Sequence, residues 1–271
     1  DMLAHKVVFI NDISVKKAKE VKVNDIIEIR YLEYSDKFKV LQIPKTKSTP
    51  KSMQSEYVTK LYKGVKMFNK ARLKFDDIFE DRLNHEEVKK YLIKLYERGE
   101  TADEIAAAAT AMRDHKLPLN VEQSLQEKLL DNCGTGGDKS NSFNVSTTVS
   151  ILLSACGCTI AKHGNRSITS NSGSADMLEA LGVNLTLTLQ KQLEMLKQTG
   201  FVFMFAINHH PAMKHIMPIR KSIDHRTIFN ILGPLSNPAS VHKQLIGVFD
   251  KSYVPKIADA LTQLNTKRAM V

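Results

Sequence analysis

Between Asp131 and Ser174 the chain reads DNCGTGGDKSNSFNVSTTVSILLSACGCTIAKHGNRSITSNSGS, and three devices for holding phosphate oxygens fall within that span. Gly134, Gly136 and Gly137 carry no Cβ, so their backbone can approach a bulky anion and aim N–H groups at it. The loop is not a nucleotide P-loop, because no glycine stands directly before Lys139, and Asp138 interrupts a G-x-G-x-x-G match. Asn144-Val145-Ser146-Thr147 opens the next helix with three short polar side chains, beside unpaired helix N–H groups and the positive end of the dipole. A plain N-cap needs only one of them. Lys162-His163-Gly164-Asn165-Arg166 follows a buried strand, where ligand loops of α/β folds collect. Lys162 and Arg166 neutralise phosphate charge, Arg bidentately, and Ser167, Thr169, Ser170 and Ser174 add donors.

Strands and helices must present these loops. From Leu129 the pattern is strand, loop, helix: Leu129–Asp131 enters the glycine loop, Val145–Cys156 is helical, and Thr159–Ala161 leads into Lys162. Helices follow over Ser174–Leu181, closed by Gly182, and over Leu189–Gln198, capped by Thr188. Phe201–Ala206 reads as a buried parallel strand and Ala212–Lys221 as a helix. Leu245–Phe249 reads as a strand, Val254–Leu264 as a helix, and Ala269–Val271 as the start of another strand. Alternating strands and helices argue an α/β parallel sheet.

Upstream, residues 67–128 read as a helical subdomain, to which part of 209–228 belongs. Asn84 caps one helix, which ends at Gly99, and Thr101-x-x-Glu104 is a capping box for an alanine-rich helix. Alanines allow close helix approach and suggest a dimer surface. Residues 1–60 read as a short β-rich unit with a basic linker. Its apolar runs are Val7–Ile10, Val21–Val23, Ile26–Ile29 and Lys37–Ile43, with turn signals at Asn11-Asp12 and Asn24-Asp25. Pro44–Ser55 shifts to Lys, Ser, Thr and Pro, the composition of a linker.

No apolar run approaches the roughly 18 residues of a membrane helix. Cys133, Cys156 and Cys158 show neither disulfide nor metal-ligand spacing, which suits a reduced, cytoplasmic compartment. The net charge is +10, and residues 1–66 hold 14 Lys/Arg against 8 Asp/Glu. That surplus suits a nucleic-acid partner or a solvated basic surface.

Two resemblances attach to these motifs. GTGGD, NVST, KHGNRSITS and HHPAMKHIMPIRKSIDHRTIFNILGPLSNPA together resemble the anthranilate phosphoribosyltransferase family of the tryptophan pathway, from about residue 67 to 271. A pyrimidine nucleoside phosphorylase shares the fold class but lacks the KHGNR and RTIFN-x-LGPL-x-NPA runs. The resemblance implies a helical subdomain, a nucleoside-phosphorylase-like α/β subdomain over 129–271 and a homodimer. The implied reaction joins the amine of anthranilate to the ribose of phosphoribosyl pyrophosphate, with Mg2+, and releases pyrophosphate.

Carried across by motif, phosphoribosyl pyrophosphate would meet Gly134, Gly137, Asp138, Ser142, Asn144, Val145, Ser146 and Thr147. The set continues through Lys162, His163, Gly164, Asn165, Arg166, Ser167, Ile168, Thr169, Ser170 and Ser174. Anthranilate would meet Gly134, Asn165 and Arg220, and Ser146 would contact Mg2+. Lys162 and Arg166 would act electrostatically. His163, His209, His210 and His225 are expected to hold structure rather than move protons. The family's Asp-Glu metal pair would lie beyond the strand beginning at Ala269, past the end of this sequence.

The second resemblance is of residues 7–29 to the C-terminal part of an alpha-L type RNA-binding domain. It rests on Phe9-Ile10-Asn11-Asp12 and Val21-x-Val23-x-Asp25-x-Ile27-x-Ile29. Two functions thus stand side by side: the transferase, or a non-catalytic phosphoribosyl-binding or RNA-associated module.

Overall fold

The computed structural model describes residues 7–10, 13–15, 22–30, 35–40, 58–60, 65–137, 143–167 and 173–271. The chain divides into two compact units, Asp1–Lys74 and Phe75–Val271. In the first, β1 (Val7–Ile10), β2 (Ile13–Val15), β3 (Ile26–Arg30), β4 (Ser35–Val40) and β5 (Val58–Lys60) form one antiparallel sheet. Its order is β2-β1-β3-β4-β5. The strand expected at Val21–Val23 is corrected: Lys22–Asp25 is a turn, with Asn24 at φ 74° and Lys22 N donating to Asp25 Oδ2 at 2.8 Å. Asn tolerates that left-handed backbone, which ends any strand there. Asn11-Asp12, residues 41–43 and the linker at 44–55 lie outside the described residues.

Helix α1 (Val65–Phe79) crosses the division between the units. Helices α2 (His85–Arg98) and α3 (Ala102–Asp114) each begin with a full capping box, Asn84 with Glu87 and Thr101 with Glu104. Helix α2 stops at Gly99, whose φ of 80° a side chain would resist. After the short α4 (Gln123–Gln126), a parallel sheet is built with helices between its strands. Its first half is β6 (Leu129–Asp131), α5 (Val145–Ala155), β7 (Thr159–Gly164), α6 (Ser174–Ala180), α7 (Leu189–Thr199) and β8 (Phe201–Phe205). Then come α8 (Ala206–His209), α9 (Met213–Lys221), α10 (Phe229–Leu232), β9 (Lys243–Leu245), α11 (Tyr253–Gln263) and β10 (Arg268–Met270). The order β10-β9-β6-β7-β8 puts β6 in the middle.

Both faces of the sheet are buried at β8, which is why that strand is apolar at every position. Phe201, Phe203 and Phe205 pack with Ile160 and with Ala175 and Leu178 of α6. Val202 and Met204 point the other way, onto Leu129, Ala161 and Leu196 of α7. Side chains alternate across a strand, so one run fills two cores.

Two further expectations are corrected. The strand at Leu245–Phe249 lies earlier, at Lys243–Leu245, because Gly247 turns its carbonyl to the glycine loop instead of to a neighbouring strand. The alanine face of α3 is not a free dimer surface: Ala106–Ala109 and Ala111 are fully buried, and α10 and α11 pack on that helix.

Candidate active site

The glycine loop leaves the end of β6. Thr135 N donates to Gly247 O at 2.9 Å, and a Cβ on Gly134 would lie 3.0 Å from that same oxygen. Two backbones touch there, which is the reason for glycine at 134. Gly136 and Gly137 adopt φ of 66° and 74°. Arg226 closes the loop from outside, donating from Nη2 to Gly137 O while its guanidinium sits 3.5 Å from the centre of the Phe249 ring.

The start of α5 meets this loop through a buried polar network. Asn144 Oδ1 accepts from Thr147 N at 3.0 Å and caps the helix. Lys162 is 1 % exposed, and its Nζ donates to Asn132 Oδ1 at 3.0 Å and to Ser146 Oγ at 3.5 Å. Ser150 Oγ donates to Asn132 Oδ1 at 2.6 Å, and Asn132 Nδ2 donates to Ser146 O at 2.8 Å. An ammonium has three donors, so Lys162 retains capacity for an anion at the helix N-terminus. Thr147 Oγ1 is buried there with no partner.

The second loop follows β7. A Cβ on Gly164 would come 2.7 Å from Phe203 Cε2, so the strand end can pass the ring only as glycine. Asn165 and Arg166 are exposed. Arg166 is turned to Asp176 (2.9 Å) and Glu179 (2.7 Å), and Ser167 N donates to Asp176 Oδ2 at 3.1 Å. Glu179 and then Asp176 hold its guanidinium firmly in the charged form. Val145 is exposed, and Ser174 begins α6 beside Gly164. Asp138, Ser142, Ile168, Thr169 and Ser170 lie outside the described residues.

Arg220 is in the last turn of α9, half-buried, with its guanidinium 5.7 Å from the Phe229 ring and 3.7 Å from Met217 Sδ. Burial lowers its pKa below the usual range. Among the described residues no carboxylate pairs with it, and no hydrogen bond joins it to Gly134 or Asn165.

The histidines are embedded. His209 bonds Leu117 O through Nδ1 and Gln192 Oε1 through Nε2, and His225 stacks 3.9 Å from Tyr96. His163 Nδ1 meets Gly233 O at 2.9 Å, and its ring lies 5.1 Å from that of His210. Burial pushes His163 down to about 4 and His210 down to about 2, so both are neutral at pH 7.

Sequence reasoning missed Asp131, Asn132, Ser150, Arg226 and Asn237. The available signal was polarity out of place: Asp131-Asn132 directly ends an apolar strand, and Ser236-Asn237 interrupts an apolar run. Asp131 is fully buried, and burial raises it to about 6, opposed first by the positive charge of Lys162.

Known proteins share this arrangement. Residues 126–271 match the glycosyl transferase family a/b domain, and residues 56–116 match its helical bundle domain. An anthranilate phosphoribosyltransferase of Pseudoalteromonas translucida is 46% identical over 204 residues, covering 75% of this chain and 57% of that protein. The crystal structure of anthranilate phosphoribosyltransferase from Thermus thermophilus aligns with a TM-score of 0.70 at 40% identity, over 73% of this chain and 60% of that one. The Saccharomyces cerevisiae enzyme in complex with PRPP and Mg aligns with a TM-score of 0.66 at 29% identity, over 76% and 59%. The chain thus spans somewhat under two thirds of the length of these relatives. The a/b-domain match covers more than half of the chain, which belongs to the glycosyl transferase family that joins this domain to a helical bundle.

Proposed function

We propose that this chain transfers the phosphoribosyl group of phosphoribosyl pyrophosphate to the amine of anthranilate and releases pyrophosphate. The observation that carries the reading is the buried Lys162 ammonium, set between Asn132 and Ser146 at the N-terminus of α5. It stands beside a glycine loop that leaves its backbone open to an anion. Asp138, Ser142 and Ile168–Ser170 extend the same cradle by motif. The relatives with this architecture are anthranilate phosphoribosyltransferases.

The chemistry suits these residues. Pyrophosphate is a good leaving group, so catalysis is mainly charge neutralisation and alignment. The aromatic amine is neutral at pH 7 and needs no strong base, in keeping with the buried, uncharged His163 and His210. Gly134, Asn165 and Arg220 receive anthranilate, with the Arg220 guanidinium, free of any carboxylate among the described residues, facing that of the substrate.

Mg2+ takes oxygen ligands, keeps several waters, and is commonly held by substrate phosphates plus one or two protein oxygens. Ser146 Oγ fits as one such oxygen, and among the described residues no group of three or more His, Cys, Asp or Glu converges. An ion bound there with the diphosphate would add to the neutralisation that Lys162 provides.

The test is loss of anthranilate fluorescence in the presence of phosphoribosyl pyrophosphate and Mg2+. Lys162→Met is expected to lower kcat/KM at least a hundredfold, the range seen when one preorganised charge contact is removed. A folded chain without turnover would overturn the reading. A homodimer and a cytoplasmic location belong to the same proposal, and sedimentation equilibrium tests the first. Among the described residues no helix is long and apolar enough to cross a membrane. RNA association through residues 1–60 is supported by their basic surplus, and salt-dependent retention of RNA by the whole chain would test it.

A further inference from the structure

Asp131 is a buried carboxylate that the proposed chemistry leaves unused. It is fully buried, and its hydrogen bonds all run to other parts of the protein. Its Oδ1 accepts from Cys133 N at 3.0 Å and from His163 N at 3.3 Å. Its Oδ2 accepts from Asn237 Nδ2 at 2.7 Å. Asn237 is fully used in turn: Nδ2 also donates to Ala161 O at 2.9 Å, and Oδ1 accepts from Ala239 N at 2.8 Å. Lys116 Nζ holds the backbone of the same residue, 3.0 Å from Asn237 O.

One carboxylate therefore ties the start of its own glycine loop at Cys133, two residues on, to two distant segments, the end of β7 at His163 and the turn at Asn237. The residues next to its two backbone partners carry the polar network at the start of α5. Asn132 precedes Cys133, Lys162 precedes His163, and those two side chains share the 3.0 Å bond of the cradle. A displacement of either strand end by about 1 Å would break that bond, since hydrogen bonds weaken steeply beyond their normal length. An isolated buried charge is costly, and a buried carboxylate is tolerated where its hydrogen bonds are complete.

We propose that Asp131 and Asn237 are a positioning pair that fixes the glycine loop against the Lys162–Arg166 loop and so sets the spacing of the phosphate cradle. The inference rests on the phosphoribosyl pyrophosphate reading for its ligand alone.

The test compares the whole chain with Asp131→Asn, Asn237→Asp and the double exchange. Asp131→Asn sets two amide NH2 groups face to face, and the double exchange restores a donor against an acceptor. Binding of phosphoribosyl pyrophosphate with Mg2+ is read by titration calorimetry. Hydrogen exchange is read by mass spectrometry on peptides spanning 132–137, 162–167 and, as a reference, β8. Asp131→Asn is expected to bind at least tenfold more weakly and to exchange at least tenfold faster in both loops, with β8 unchanged. The double exchange is expected to recover at least threefold in affinity. Loop exchange that stays the same, equal acceleration in β8, or affinity within twofold of wild type would each overturn the pair. If Asp131→Asn does not fold, Asn237→Ser withdraws the amide while leaving the Asp131 carboxylate its two backbone partners, and carries the same comparison. A wild-type chain that takes no phosphoribosyl pyrophosphate sinks the functional reading, and the exchange measurement still decides the pair.

Discussion

Arg166 places one guanidinium nitrogen 2.9 Å from Asp176 and 2.7 Å from Glu179, and the other 3.0 Å from Glu179. Three of its five N–H donors are engaged in this way, so a phosphate gains the full fork only by displacing those carboxylates. Exposed ion pairs of this kind are weak and screened, so the exchange is cheap. Glu179→Gln is therefore expected to tighten phosphoribosyl pyrophosphate binding by roughly two- to fivefold, read as Kd by calorimetry. Unchanged or weaker binding would mean that Arg166 keeps its carboxylates. Lys162 behaves differently: it is buried and already points into the cradle. Residue type alone made both look like phosphate ligands, and only burial and partners separate them.

Among the elements, helix starts were the most legible part of the sequence, because a cap is a local device with fixed spacing. Thr101 Oγ1 donates to Glu104 Oε2 at 2.9 Å and accepts from Glu104 N at 3.3 Å, and Arg98 adds a bond of 2.6 Å to the same carboxylate. Thr101→Ala should cost about 1 kcal/mol, in the range of lost N-caps, measured by urea unfolding. A loss well below half of that would show that Arg98 and the backbone N–H of residue 101 suffice to hold Glu104. The strand near 245 was misplaced for the opposite reason. Its apolar residues continue to Phe249, but Gly247 serves the glycine loop and Phe249 serves Arg226. The Asp131–Asn237 contact was invisible to any local pattern, since 106 residues separate its partners. The glycine loops were readable because an absent Cβ is a property of one residue; the network that fixes them is a property of the fold.

At the scale of the whole molecule, acid should act through imidazoles that burial holds below their ordinary pKa, His209 and His242 among them and His163 and His210 most of all. His163 and His210 have folded pKa values of about 4 and about 2, below the ordinary value of 6.5. Their contribution to stability is complete above 6.5 and is lost as pH falls, because the unfolded chain takes protons that the folded chain refuses. By pH 5 that amounts to about 2 kcal/mol for each. Asp131 runs the other way: raised to about 6, it favours the folded state at low pH and loses that advantage as pH rises through 6. Its return between pH 7 and 5 is about 1 kcal/mol. Unfolding free energy should thus fall from pH 7 to pH 5, on the order of a few kcal/mol, measured in urea at both values. A flat profile would show that the imidazoles are not held neutral by the fold.

The central place of β6 also fixes the order in which the molecule can be completed. One side of β6 pairs with β7, which follows closely in the chain; the other pairs with β9, which begins only at Lys243. During synthesis on the ribosome, β6, β7 and β8 can therefore assemble while one edge of β6 is still unpaired. At that stage the Asp131 carboxylate lacks Asn237, Thr135 lacks Gly247, and Arg113 lacks the Leu235 carbonyl it later holds at 2.7 Å. Contacts between residues so far apart form late and leave a nascent intermediate with a bare strand edge. Until the segment from Asn237 to β9 has emerged, the Asp131 carboxylate is short of one partner and one edge of β6 stays bare, a surface open to other strands.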